Sequence, residues 1–137
     1  MAADDALLDL LDRDPALVDD VVHETLRLTG REGVYSDEEL AQLLHAFRMT
    51  LREALTGAGS EARDLMIQTA IPAVVAKSET PATLARSNTV FGILLATRVA
   101  RVLPEEAGDG AARWIAEFMA AWQYDTVEAA DRARENG

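Results

Sequence analysis

The chain contains no cysteine. That single absence excludes disulfides, thiolate nucleophiles, zinc–cysteine sites and thioether-linked chromophores. Lysine is nearly missing too: Lys77 is the only one, and the twelve arginines are scattered without forming a basic stripe. Against them stand 24 acidic residues, for a formal net charge of −11. Nucleic-acid affinity comes largely from Lys and Arg neutralising phosphates, so neither nucleic acid nor an anionic membrane is expected as a partner. The excess acid reads as solubility.

Long apolar runs are also lacking. The longest, Val90 to Val102, is interrupted by Thr97, Arg98 and Arg101 and falls short of a membrane span. The opening residues carry no basic segment and no cleavage signal, which predicts a cytoplasmic location. No segment alternates β-branched and aromatic residues with period two, so no strand is expected.

What the sequence has in quantity is helix punctuation. An acidic helix is predicted over about Asp4 to Asp12, with Asp4, Asp5, Asp9 and Asp12 on a solvated face. Asp14 and Pro15 start a second, to about Leu28, ended by Gly30 and Gly33. Ser36 and Glu39 have the spacing of a capping box for a third helix to about Leu55, stopped by Gly57 and Gly59. Leu40, Leu43, Leu44, Phe47, Leu51 and Leu55 form its apolar stripe. Ser60 is placed to cap a fourth, in which Pro72 predicts a kink or break near Ile71. Thr80 and Pro81 open a fifth that is apolar almost all round and so belongs in the middle of the fold. Gly108, Asp109 and Gly110 read as a turn into a last helix, Ala111 to Arg134, and the tail 131–137 reads as a frayed end or linker. At 137 residues this predicts one domain, residues 1–137, built as an all-α bundle of about six helices.

Chemistry is sparse by comparison. His23 and His45, the only histidines, fall on polar helix faces without metal-ligand spacing, so no metal site is expected. Acidic groups sit on solvent faces or at helix starts, which leaves no catalytic set to name. Gly57, Ala58, Gly59 and Ser60 could bind an anion at a helix start but lack the lysine and spacing of a phosphate loop. The sharper candidate is Arg98, which a helical wheel puts among Phe91, Leu94, Leu95 and Val102. An arginine there either pairs with an acid, Asp125 being the candidate, or anchors a carboxylate ligand. Trp114, Phe118 and Trp122 recur every four residues on the last helix and either pack the core or line an apolar pocket facing Phe91 and Leu95. Ala116, Ala120, Tyr124 and Val127 make a second small apolar stripe on that helix, which suggests a homodimer seam.

The stretch from Ser78 through Thr80 and Pro81 to Ala85, followed by an apolar helix ending at Leu103, resembles the N-terminal sensor domain of RsbR-type stress-signalling proteins. Those domains look like globins that have lost the haem. The resemblance implies a globin-like bundle without a cofactor, acting as a dimeric, non-enzymatic regulatory domain whose partner contains a STAS domain. These 137 residues include no STAS domain, so the chain is expected to be either a stand-alone relative or an excised sensor module. A small apolar or carboxylate ligand near Arg98 would suit such a sensor. A haem- or tetrapyrrole-binding helical sensor, and a small helical enzyme using Arg98 and Asp125, are the alternatives.

Overall fold

A computed structural model describes residues 3–77 and 79–136. Met1, Ala2, Ser78 and Gly137 lie outside the described residues, Ser78 among the positions that carry the resemblance. The elements are α1 (Ala3–Arg13), α2 (Ala16–Leu28), α3 (Asp37–Thr56), α4 (Glu61–Leu65), a π-helical turn (Met66–Ala70), α5 (Ile71–Ala76), α6 (Pro81–Val102) and α7 (Glu105–Asn136). α4, the π turn and α5 run on from one another, so the architecture is a six-helix all-α bundle in a single domain. Among the described residues no helix is long and apolar enough to cross a membrane.

Local chemistry sets most boundaries. Ser36 accepts a hydrogen bond from the Glu39 amide at 3.1 Å, and the Glu39 carboxylate accepts one from the Ser36 amide at 2.9 Å. This closes the capping box that opens α3. Gly57 ends the helix at φ 69°, a left-handed conformation that costs glycine little. Thr80 and Thr83 cap α6 by the same reciprocal exchange, at 3.1 and 2.7 Å.

Pro72 lacks an N–H and its ring would crowd the Gln68 carbonyl in a regular helix. The chain responds by widening one turn, so that the Ile71 amide bonds to the Met66 carbonyl five residues back. The predicted kink is this π turn.

Four sequence-based expectations need correcting. Ser60 does not cap α4. The Glu53 carboxylate reaches across from α3 instead, accepting from the Ala62 amide at 2.8 Å and the Arg63 amide at 3.4 Å. That internal carboxylate also occupies the helix start that the sequence offers to an outside anion.

The last helix begins at Glu105, six residues early, with Gly108 and Gly110 inside it. A Cβ on Gly108 would stand 3.0 Å from the Ala100 carbonyl oxygen, so this glycine lets α6 and α7 approach closely and makes no turn. The 131–136 tail does not fray in the structure: it stays helical as far as Asn136. Ala129 and Ala130 lie buried beside Ile71 and Val74 just before it.

The fourth correction concerns α6. It is central, with Phe91, Leu95 and Val99 buried, but Ile93 and Val102 are 61% and 57% exposed. One face therefore stays open.

α6 and α7 form the backbone of the fold, an antiparallel pair. Thr89 meets Gln123, Asn88 meets Thr126, and Gly92 lies against Met119. α1 packs on α7, α2 on α6 and α5 on α7. Their buried faces repeat every three or four residues: Leu7 and Leu10, then Val18 and Val21, Phe47 and Leu51, Leu95 and Val99, Ala111 and Ile115. Each large aliphatic side chain buried this way stabilises the fold by about 1.5–3 kcal/mol relative to exposure.

Candidate functional site

The packing leaves an apolar cleft of about 160 Å³ between the helices, partly open to solvent. α2 contributes Val22, Thr25 and Leu26 to its wall, and α3 contributes Leu40, Leu43, Leu44 and Phe47. Met66 from the π turn and Ile71 and Val74 from α5 close the far side. α6 supplies Leu84, Ser87, Asn88 and Phe91, α7 supplies Met119, Trp122 and Thr126, and Tyr35 reaches in from the α2–α3 loop. The cleft lies where the π turn shifts the register between Met66 and Ile71, a kind of irregularity often found at functional sites.

Its few polar groups are turned aside. Thr25 donates to the Val21 carbonyl at 2.8 Å and Thr126 to the Trp122 carbonyl at 2.8 Å, each one helical turn back. Thr126 also accepts from the Asn88 amide nitrogen at 3.0 Å. Hydroxyls satisfied within their own helix do not need a ligand. Aromatic faces dominate: Phe47 meets Phe91 edge-on at 5.0 Å between centroids and Trp122 at 5.9 Å. Met66 and Met119 add polarisable, adaptable thioethers.

The side chains singled out in the sequence divide between the cleft and elsewhere. Phe91 and Trp122 line it. Leu95 is in the core below it, and Trp114 and Phe118 stack on Trp122 in a nearly parallel ladder with centroid steps of 5.2 and 6.2 Å.

Arg98 and Asp125 do not meet. Arg98 pairs with Glu24 of α2 at 2.6 Å and keeps 37% of its side chain exposed, at the rim and away from the cleft lining. Asp125 pairs with Arg63 of α4. The wheel misplaced Arg98 because α6 is not enclosed all round, so its guanidinium reaches the surface while its stem covers apolar neighbours.

His23 and His45 are exposed, and neither lines the cleft. The sulfurs in the cleft are thioethers, which in haem proteins ligate opposite a histidine, and 160 Å³ is far less than a tetrapyrrole fills. The residues do not fit a haem. Among the described residues no cluster of three His, Asp or Glu could hold a metal ion.

A second polar constellation at the edge of the cleft has no counterpart in the sequence expectations. Glu79, just before the α6 cap, is only 4% exposed. Its Oε2 lies 3.3 Å from the Arg31 guanidinium and has no hydrogen-bond partner, and Arg31 Nε has none either. Arg31 donates to the Lys77 carbonyl at 3.0 Å, and Lys77 pairs with Glu39 at 3.1 Å. Burial pushes the Glu79 carboxyl above its ordinary value of 4.5, against the pull of Arg31. Burial, with help from Glu79, also raises the Tyr35 hydroxyl.

A carboxyl whose pKa is raised on folding binds its proton more tightly in the native state. Its contribution to stability is therefore full below pH 4.5 and is lost as pH rises through the folded value. Glu79→Gln, which mimics the neutral acid, should match the wild type in urea unfolding at pH 4. It should equal or exceed it at pH 7. A variant clearly weaker than wild type at pH 7 would show that the Arg31 pair outweighs the cost of burial.

The face of α6 and α7 turned away from the cleft is open. Ala116, Ala120 and Tyr124 are exposed, Tyr124 at 72%, and Val127 is half-buried. With Pro81, Ala85 and Gln123, three of them, Ala120, Tyr124 and Val127, border a shallow surface groove. The chain matches no protein-family profile, no curated protein and no solved structure.

Proposed function

We propose that this protein is a non-enzymatic sensory module that takes a small apolar molecule into the cleft and signals its presence to a partner protein. The cleft itself carries the proposal. An apolar cavity of about 150 Å³ stays dry and takes benzene or xenon, so a 160 Å³ cleft walled by Phe47, Phe91, Trp122, Met66 and Met119 suits a single-ring aromatic or a short alkyl group. A carboxylate is not part of the proposal, because Arg98 is engaged at the rim.

The non-enzymatic part rests on the wall. Tyr35 is the one titratable side chain in it, whereas acid–base catalysis draws on groups held together around a substrate.

The output surface in this reading is the α6–α7 face, with Ala116, Ala120, Tyr124 and Val127 as the seam of a homodimer. Trp122 and Tyr124 stand two residues apart on α7, one in the cleft wall and the other on that face. A change in packing around Trp122 therefore has a short route to the seam. The RsbR-type resemblance supports such an arrangement, with a STAS-containing protein as the recipient of the signal.

Ligand and seam are tested separately. Benzene should raise the melting temperature in a saturable way, and Leu84→Trp, which fills the cleft, should abolish the rise. Sedimentation should give a dimer for the wild type and a monomer for Ala120→Arg. No benzene effect on a folded protein would remove the sensor reading, and a wild-type monomer at all concentrations would remove the seam.

A further inference from the structure

Most hydroxyls inside the helices are spent on their own backbone. Thr25, Thr50, Thr69, Thr89, Thr97 and Thr126 each donate to the carbonyl four residues back. Ser87 of α6 departs from this pattern. It lines the cleft, half-buried, and among the described residues its Oγ makes no hydrogen bond.

Asn88, next to it, has only one end of its amide committed. The Thr126 hydroxyl gives its proton to the Trp122 carbonyl at 2.8 Å, so toward Asn88 the Thr126 oxygen can only accept. Asn88 must therefore present Nδ2 to it, at 3.0 Å, because the flipped amide would set two acceptors face to face. This fixes which atom is left over. It is Oδ1, an acceptor that has no hydrogen bond among the described residues. Leu84, Ser87, Asn88 and Phe91 follow the i, i+3, i+4, i+7 spacing of one helix face, and all four line the cleft. The remaining hydroxyl of the wall, on Tyr35, lies within reach of Arg31 and Glu79.

We propose that Ser87 and Asn88 form a polar subsite in the cleft wall that takes the hydroxyl of a neutral, single-ring, phenol-type ligand. The proposal rests on the cleft being a ligand site and names the ligand class it prefers. The ligand hydroxyl donates to Asn88 Oδ1 and accepts from Ser87 Oγ, while the ring lies among Phe47, Phe91 and Trp122. A hydroxyl supplies both halves of this pairing. A carbonyl or ether has no proton for Oδ1, and a carboxylate meets it as a second acceptor. An alkylammonium would lose its water to a wall that holds no charged partner. Because Ser87 and Asn88 are half-buried and not sealed from water, the preference has the size of an ordinary net hydrogen bond, about 2–10-fold in affinity.

NMR titration of the full chain with phenol, fluorobenzene and benzene measures that preference. Fluorobenzene is close to phenol in size but donates nothing. The wild type should bind phenol about 2–10-fold more tightly than either of the others. Asn88→Leu, similar in volume and unable to accept, should erase the difference while benzene binds as well as before or better. Ser87→Ala should reduce it. If Asn88→Leu folds poorly, the wild-type comparison and Ser87→Ala decide. Benzene binding with no advantage for phenol in the wild type would overturn the subsite and leave the cleft as a ligand site. A phenol advantage undiminished in either folded variant would overturn it as well. Binding of none of the three compounds to the folded protein would remove the subsite and the ligand site together.

Discussion

Trp122→Ala is expected to lower the unfolding free energy by about 3–5 kcal/mol, the range for emptying a large aromatic from a core. Trp122 is 4% exposed, meets Phe47 edge-on and stacks on Phe118, so little can collapse into its place. It also walls the cleft, which its removal would extend by the volume of an indole ring. Free indole should then bind the variant and return part of the lost stability, about 2.7 kcal/mol at one hundred times its dissociation constant. Urea unfolding with and without indole measures both halves. A loss below about 1 kcal/mol would mean the ring is not part of the core. A destabilised but folded variant indifferent to indole would mean the cleft does not admit aromatic guests.

Gly108→Ala reverses an ordinary rule. In an open helix interior alanine is better than glycine by about 1 kcal/mol. Here the added Cβ would stand 3.0 Å from the Ala100 carbonyl oxygen and 3.3 Å from the Ala100 Cα, both backbone atoms that no rotamer change can move. The helices must separate, at a cost of about 1–3 kcal/mol typical of overpacking. Because α6 and α7 carry the cleft residues Phe91 and Trp122, the separation should also weaken benzene binding. Chemical unfolding that shows the variant more stable than wild type would mean that the close approach at this elbow is not maintained in solution.

The helices were legible in the sequence wherever local chemistry defines them. Ser36 with Glu39, and Thr80 with Pro81, are short-range devices whose partners lie within one turn, so their spacing suffices. The kink at Pro72 was legible for the same reason. Ser60 and the glycines at 108 and 110 misled because the deciding partner is distant in sequence: Glu53 for the α4 start, Ala100 for the close approach in α7.

The cleft was half visible. Phe91 and Trp122 stood out as aromatics on apolar stripes, but Tyr35, Met66 and Thr126 reach it through tertiary arrangement alone. Arg98 looked buried because a helical wheel shows neighbours on one helix, not the open rim beside Glu24. Glu79 carried no signal, since an acid before a helix cap is usually solvated and its burial depends on Arg31, 48 positions away.

The most direct measurement of the central claim uses the methionines as built-in probes. The sequence has four: Met66 and Met119 line the cleft, Met49 is 41% exposed on α3, and Met1 lies at the terminus. With carbon-13 methyl labels, benzene titration should shift the Met66 and Met119 signals saturably and leave Met49 in place. Still signals at Met66 and Met119 under saturating benzene, or equal drift of all four, would contradict a ligand-binding cleft.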